Sequence, residues 1–325
     1  MDKKSSKLEW NTILHDSSPG YGLINNSAGH DATSYHQLSD SPGQTKPLII
    51  VEMMGGLGNQ MFQYARGLSI ATQFEMDIKL DLTLLKARHP DSANRVRFFQ
   101  LQEFGLQDKI ISTDFLKTMR MSFDSTENRR NLMMIAAGKC PISNTIFRGW
   151  YQGEKFFSNV QQEVRQIFSF RRLESGPASE IERMIEDSVN TVAVHVRRGD
   201  YVNNKFHEIC DRDYYLRAKF ILEMITENPL FIVFSEDIQY CRQFMGEKAV
   251  YVDESISDVE SMHLMSSCKH HVISNSTFSW WAAWLASSSG RQAMAPARWF
   301  NDEDMNHHYL VENKLYPAHW KVIRV

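Results

Sequence analysis

Short apolar runs alternate with amphipathic stretches through the second half of the chain. Runs rich in β-branched and aromatic residues have the length and composition of buried strands, over residues 191–196, 230–235, 250–252 and 271–274. Apolar residues at helical spacing follow these runs, over residues 213–226, 238–245, 257–267 and 278–288. Repeated strand-then-helix units predict a parallel sheet that is covered by helices on both faces.

The first half opens with the same order of elements. Pro47–Met54 is an apolar run that predicts a strand, Gly55–Gly58 interrupts it, and helical spacing begins near Met61. A further strand is predicted over residues 76–82, which completes a βαβ unit. Residues 84–180 are less regular. The pattern therefore predicts an α/β protein throughout.

The length of the chain suits two domains of ordinary size. With 325 residues, we expect one α/β domain over residues 47–175 and a second over residues 176–325. Residues 1–46 are polar and rich in turn-forming residues, so they bury too little apolar surface to offset the entropy of ordering. We expect this segment to be a flexible extension.

Composition and charge exclude several classes of protein. The 36 Lys and Arg residues nearly balance the 39 Asp and Glu residues, which gives no overall attraction to nucleic acid. The 4 cysteines form no CxxC pair, which argues against a zinc site or a disulfide framework. No apolar run approaches the roughly 18 residues of a transmembrane helix, and the first residues do not resemble a signal peptide. We expect a cytoplasmic protein, and peripheral contact with the inner face of a membrane stays open.

The first candidate for ligand binding is the glycine-rich turn after the first strand. Gly56, Gly58 and Asn59 lie between a strand and a helix, where glycines let the backbone approach a ligand and the helix N-terminus favours an anion. A dinucleotide-binding fingerprint requires a third glycine where Met61 stands, and the Gly-Lys-Ser/Thr ending of a P-loop is also missing. A tight turn that only leads into a helix is the alternative.

The second candidate is the segment from His195 to Tyr201, at the end of a predicted buried strand. Strand alternation places His195 and Arg197 on one face and Arg198 on the other. Arginine offers a planar fork of donors for phosphate oxygens and keeps its charge. Asp200 either holds an arginine in place or takes part in proton chemistry. The alternative is an ordinary surface ion pair.

Two further segments follow predicted strands. Ser276 and Thr277 precede a helix that contains three tryptophans, and small polar groups there either cap the helix or bind a phosphate or a sugar hydroxyl. Helical spacing indicates that the tryptophans pack in the core. Asp237 follows another strand, where its carboxylate is suited either to accept the paired N–H groups of guanine or to cap a helix.

Together these segments resemble the α-1,2-fucosyltransferases of glycosyltransferase family 11, especially the bacterial members. The matching pieces have the order and spacing found in that family; they are residues 55–65, 195–201, 234–237 and 274–281. The resemblance covers about residues 48–323. It implies a GT-B-like architecture in which two Rossmann-like α/β domains face a cleft.

The resemblance also implies a reaction. An enzyme of this family would transfer L-fucose from GDP-β-L-fucose to the 2-hydroxyl of a terminal galactose, with inversion and with neither a metal nor a further cofactor. The acceptor would be a galactoside, as an oligosaccharide or a lipid-linked glycan. Fucose transfer to another position, such as α-1,6, and a non-catalytic sensor of GDP-sugars are the alternatives.

The resemblance assigns roles to individual residues. His195, Arg197 and Arg198 would lie at the nucleotide and its diphosphate, Ser276 and Thr277 would approach the diphosphate, and Asp237 would read guanine. Gly56, Gly58 and Asn59 would border the cleft from the first domain. Arg197 would stabilise the leaving phosphate. For a catalytic base, Asp200 and Glu208 are candidates, with Asp211 and Asp213 also near in sequence.

Overall fold

The computed structural model describes residues 46–86, 97–121, 124–207 and 210–324. Its described strands form two parallel sheets, one in each half of the chain. The expected extension over residues 1–46 lies outside the described residues, apart from Lys46 at its end. The α/β class predicted from the sequence is confirmed.

The larger sheet belongs to the second half. Its strands are β4 (Thr191–Val196), β5 (Leu230–Ser235), β6 (Val250–Val252), β7 (His270–Val272), β8 (Ala293–Pro296) and β9 (Lys321–Ile323). They are parallel and lie in the order β6-β5-β4-β7-β8-β9. This is the doubly wound order of nucleotide-binding folds, in which the direction of strand addition reverses between β4 and β7.

Both faces of this sheet are buried, as predicted. Alternate residues of β4 enter two different hydrophobic clusters: Val192 and Val194 pack in one, and Ala193 in the other. The predicted strands β4, β5 and β6 have the expected bounds, whereas β7 begins and ends earlier than residues 271–274. Strands β8 and β9 were not predicted, because they are short and three of the four residues of β8 are alanine or proline.

The smaller sheet belongs to the first half. It contains β1 (Leu48–Glu52), β2 (Asp77–Asp81) and β3 (Thr145–Phe147), parallel and in the order β2-β1-β3. The expected Rossmann-like layout therefore describes the second half better than the first, which has three described strands. After β3 the chain continues as helical turns that pack on the first helix instead of adding strands.

The described helices, α1 to α11 in chain order, connect and cover the strands. They are Leu57–Phe74, Thr83–Lys86, Thr113–Met121, Ser125–Ala136, Gln161–Ile167, Pro177–Glu186, Arg212–Ile225, Ile238–Met245, Asp258–Ser267, Thr277–Leu285 and Glu303–Asn306. Short 3₁₀ turns lie at Leu101–Phe104, Gln107–Lys109, Glu154–Val160 and Gly199–Tyr201, and His307–Glu312 is a π-helical turn.

One hydrophobic core joins the two halves. Phe62 of α1 packs against Trp280 and Trp281 of α10, with ring centroids 4.6 and 4.8 Å apart. Phe157 stacks on Trp281 from the first half. The cluster contains residues from Ile49 of β1 to Trp320, close to the start of β9. The prediction that the tryptophans belong to the core is confirmed, since Trp280, Trp281 and Trp284 are at most 1% exposed.

Candidate active site

The candidate site lies at the point where the order of the larger sheet reverses. Strands β4 and β7 are neighbours, so the residues beyond their carboxyl ends meet there, which is where open α/β sheets bind ligands. His195 is buried near the end of β4, and its Nδ1 is 2.9 Å from the Oγ of Ser274, just after β7. Burial, together with the nearby charge of Arg197, lowers the pKa of His195 to about 3. This imidazole is therefore neutral at pH 7.

Arg197 is held between two carboxylates. Its guanidinium donates to Glu236 Oε1 and to Asp200 Oδ1, the latter at 2.6 Å. Glu236 is fixed in turn, because its Oε2 accepts the backbone N–H of Arg198 at 3.2 Å. Burial disfavours the charge of Arg197, but the two carboxylates outweigh this and raise its pKa. The result is a permanent, oriented cation at the end of β4.

Arg198 points to different partners. Its Nε lies 3.4 Å from Asp237 Oδ2, and its guanidinium covers the ring of Tyr240 at 4.0 Å from the centroid. Asp237 also caps the helix Ile238–Met245, since its Oδ1 accepts the N–H of Tyr240. Helix capping, one of the two roles foreseen for Asp237, is thus present in the structure.

An open cavity of about 540 Å³ adjoins Asp237. Its lining comes from the segments that follow β5 and β6, namely residues 236–239 and 253–255. These include the carboxylates of Glu236, Asp237, Asp253 and Glu254. The cavity is therefore rich in hydrogen-bond acceptors and suits a ligand edge that presents N–H or hydroxyl donors.

The start of helix α10 (Thr277–Leu285) has no side-chain cap, which was one of the two roles that the sequence left open for Ser276 and Thr277. Ser276 is the N-cap residue, but its hydroxyl makes no capping hydrogen bond. The hydroxyl of Ser274 pairs with His195 instead. The first N–H groups of α10 therefore keep their capacity to bind an anion.

The glycine-rich turn of the first half meets this helix start. Gly56 is the N-cap of α1 (Leu57–Phe74), also without a side-chain cap. A Cβ on Gly58 would lie 2.5 Å from the backbone carbon of Thr277, and Gly58 O accepts the indole N–H of Trp281 at 2.9 Å. Asn59 accepts a hydrogen bond from Gln152. Two helix N-termini, one from each half, therefore converge at the site.

Residues not predicted from the sequence complete the arrangement. Asn275 is buried and its amide donates to the carbonyls of His207 and Trp299, both at 3.0 Å. Tyr201 donates to Asn275 O, which ties the Gly199–Tyr201 turn to the segment after β7. Asn275 lies in the Ser-Asn-Ser-Thr segment, so the motif was a signal for it.

The expected residues are distributed as follows. The structure brings together His195, Arg197, Arg198, Asp200, Asp237, Ser276 and Thr277 at the ends of β4, β5 and β7, with Gly56, Gly58 and Asn59 across from them. Glu208 lies outside the described residues. Within the described ranges, no group of three or more His, Cys, Asp or Glu side chains is arranged to hold a metal ion, and none of the helices is long and apolar enough to span a membrane.

The fold and the site define the class of this protein: an α/β enzyme with paired arginines and carboxylates at the switch point of a doubly wound sheet. The chain belongs to glycosyl transferase family 11, whose family model matches residues 30–324. It is therefore a glycosyltransferase, and the GT-B-like architecture implied by the resemblance is confirmed. The match includes part of the segment that the sequence predicted to be an extension.

Two relatives agree with this assignment in sequence. The α-1,2-colitosyltransferase of Escherichia coli is 31% identical over 277 residues, which cover 80% of this chain and 94% of the relative. Galactoside α-(1,2)-fucosyltransferase 2 of Rattus norvegicus is 33% identical over 268 residues, which cover 75% of this chain and 68% of the relative. The solved structure of the α-1,6-fucosyltransferase NodZ soaked with GDP-fucose is 13% identical, with a TM-score of 0.47 over 74% of this chain and 93% of NodZ.

Proposed function

We propose that this enzyme is an inverting galactoside α-1,2-fucosyltransferase that transfers L-fucose from GDP-β-L-fucose to the 2-hydroxyl of a terminal galactose. The observation that carries the proposal is the position of Arg197, fixed at the carboxyl end of β4 where two uncapped helix N-termini converge. α-1,2-Fucosyltransferases and a colitosyltransferase among the relatives support the linkage.

The donor diphosphate lies, in this proposal, between Arg197 and the start of α10. Cleavage of the fucosyl bond places negative charge on the β-phosphate, and charged donors that are already oriented stabilise that charge without reorganisation. Ser276 and Thr277 add the N–H groups and positive end of the helix dipole. These groups supply the charge that a divalent metal provides in other transferases, so the proposed reaction needs no metal.

The guanine base lies in the cavity beside Asp237. Guanine presents an N–H and an amino group side by side, which pair with a carboxylate acceptor. Asp237 supports this role because it lines the cavity, although one of its oxygens also caps a helix. Arg198 keeps the carboxylate of Asp237 in place. His195 is neutral and buried, and acts by positioning the β4 end against Ser274.

The acceptor approaches from the first half. Its galactose hydroxyl attacks the fucosyl carbon from the face opposite to GDP, which inverts the anomeric configuration. A carboxylate that removes the hydroxyl proton would speed this step. Asp200 and Glu208 stay the candidates for that base, and Asp200 also forms an ion pair with Arg197.

The direct test is a transfer assay with purified protein. We expect GDP release and an α-1,2-linked product when GDP-fucose is supplied with lactose, with the linkage read by NMR. The absence of transfer across a panel of galactosides would contradict the proposal, and binding of GDP-fucose with neither hydrolysis nor transfer would favour a sensor. A product with an α-1,6 linkage would favour the alternative linkage.

Replacing the central cation tests the proposed role of Arg197. Arg197→Lys keeps a positive charge but loses the planar fork that bridges two oxygens. We expect kcat to fall by about 100-fold or more, as for loss of one oriented transition-state donor. Turnover near that of the wild type would refute the diphosphate assignment.

A colitosyl donor is the second candidate. The match with the colitosyltransferase covers 94% of that relative, so colitose is an alternative to fucose as the sugar of the donor. A competition assay with fucosyl and colitosyl donors at equal concentration separates the two. Preference for the colitosyl donor by kcat/KM would replace fucose in the proposal and leave the diphosphate site unchanged.

A further inference from the structure

Arg97 reaches the candidate site from the opposite half of the molecule. It lies between β2 and β3 of the first half, yet its guanidinium is 3.8 Å from the carboxylate of Asp200 in the second half. A Cβ on Gly56 would lie 3.7 Å from Arg97 Nη1, so the arginine also borders the glycine-rich turn. No sequence motif singled out this residue.

A buried glutamine positions the segment that carries Arg97. Gln60 of α1 is fully buried, and its amide group donates to the carbonyls of Gly55 and Phe98 at 3.0 and 2.8 Å. Its Oε1 accepts the N–H of Gln100 at 3.0 Å. The side chain of Gln60 therefore connects the backbone next to Arg97 to the glycine-rich turn through hydrogen bonds.

Asp200 lies between two arginines from different halves. Its Oδ1 accepts from Arg197 at 2.6 Å, and its Oδ2 faces Arg97 at 3.8 Å. A carboxylate that is shared in this way marks a position where a two-oxygen anion can contact both guanidinium groups. Two oxygens of a tetrahedral phosphate can make the same pair of contacts, and arginine binds phosphate oxygens in this way.

The two carboxylates on Arg197 differ in how firmly they are held. Glu236 also accepts the backbone N–H of Arg198 and packs against Gly199, so it is anchored. The carboxylate of Asp200 contacts arginine side chains and is 39% exposed. An entering phosphate therefore competes with Asp200 for the arginines, while Glu236 continues to orient Arg197.

We propose that Arg97 is a second cation of the diphosphate site, contributed by the first half, and that Asp200 competes with the donor phosphate for Arg97 and Arg197. This rests on the proposed function. Because the fucosyl group must face the acceptor half, the phosphate that Arg97 meets is the β-phosphate, which carries the sugar. Arg97 thus links donor binding to the fit between the two halves.

The experiment compares GDP with GMP, which lacks the β-phosphate. Calorimetry on the full-length protein should show that Arg97→Gln weakens GDP binding about 10- to 100-fold, the loss expected for a charge-assisted hydrogen bond, and changes GMP binding less than about twofold. Retained GMP binding also shows that the variant is folded. Arg129→Gln, on the exposed side of the helix Ser125–Ala136, removes the same charge and should leave both affinities unchanged.

Two results would overturn the proposal. One is GDP affinity in Arg97→Gln equal to that of the wild type, and the other is an equal loss of GDP and GMP. Asp200→Asn tests the competition, because removal of the carboxylate charge should tighten GDP binding, whereas weaker binding would contradict it.

Failure of the proposed function gives a different pattern. A wild-type protein that binds GDP through Arg97 but transfers no fucose would contradict the proposed transferase and leave the phosphate site intact. A wild-type protein that transfers fucose, with GDP affinity insensitive to Arg97→Gln, would contradict this inference alone.

Discussion

Gly58 illustrates how a single residue sets the distance between the two halves. Its missing Cβ would lie 2.5 and 2.7 Å from backbone atoms of Thr277 and Phe278, which have no rotamer to change. In Gly58→Ala we expect the free energy of unfolding to fall by about 1–3 kcal/mol, as for other overpacked sites, and transfer activity to fall with it. Urea denaturation and the transfer assay measure both.

Gly56→Ala is the matched control for stability. Its Cβ would meet only the end of the Arg97 side chain at 3.7 Å, an ordinary contact. Its unfolding free energy should therefore stay within about 0.5 kcal/mol of the wild type. Equal destabilisation by the two substitutions would show that the close approach at Gly58 is not the cause.

At the scale of elements, helix α10 connects the site to the core. Its Trp281 packs in the core and donates to Gly58 O, whereas Trp284 donates to Glu154 Oε1 at 3.3 Å, away from the turn. Trp281→Phe removes the indole donor to a buried carbonyl and also opens space, so we expect a loss of about 2–4 kcal/mol. The same substitution should also weaken GDP binding, because the start of α10 loses its hydrogen bond to the glycine-rich turn.

Trp284→Phe is the comparison on the same helix. It removes a similar indole from the core, so it should also lower the free energy of unfolding. GDP affinity, measured by calorimetry, should stay near the wild-type value, because Trp284 makes no hydrogen bond to the glycine-rich turn. If both variants lose GDP affinity equally, α10 acts only through general stability.

At the scale of the whole molecule, the continuous core predicts joint unfolding of the two halves. Aromatic rings of α1 and α10 share one cluster, so neither half can lose its packing without exposing the other. We expect a single calorimetric transition, with the van't Hoff enthalpy close to the calorimetric enthalpy. Two resolved transitions would show that the halves are independent folding units.

Buried histidines predict a loss of stability in acid. Burial lowers the pKa of His195 to about 3 and that of His271 to about 4, whereas an unfolded histidine titrates near pH 6.5. Below about pH 6.5 the unfolded chain therefore binds protons that the folded protein does not, and stability decreases as the pH falls toward 4.

A titration of thermal stability checks this prediction. Each histidine contributes a slope of up to about 1.4 kcal/mol per pH unit in that window. His271→Gln should reduce the loss between pH 7 and pH 5, because glutamine does not titrate and still donates to Met265 O. An unchanged pH dependence would exclude His271 as a cause.

Most of the larger sheet was predictable from the sequence because its strands are buried on both faces. β4 and β5 are runs of six residues with matching bounds in prediction and structure. β8 and β9 were missed because pairing with neighbours, and not their own composition, makes them strands. Strand β3 of the smaller sheet was missed for the same reason.

The site residues that could be predicted from the sequence are those in which charged side chains directly follow the end of a predicted strand. His195, Arg197 and Asp200 lie close together in sequence, so local spacing revealed them. Arg97 could not be found in this way, because about a hundred residues separate it from Asp200 and only the packing of the two halves brings them together.

The sequence by itself determined the α/β class, the positions of the main strands and the family, because hydrophobic periodicity and clustered motifs are local properties. Tertiary structure decided which arginines share one carboxylate, that the hydroxyl of Ser274 serves His195, and that Gly58 lies against Thr277. These contacts depend on strand order and on the fit between two halves, which no local pattern encodes.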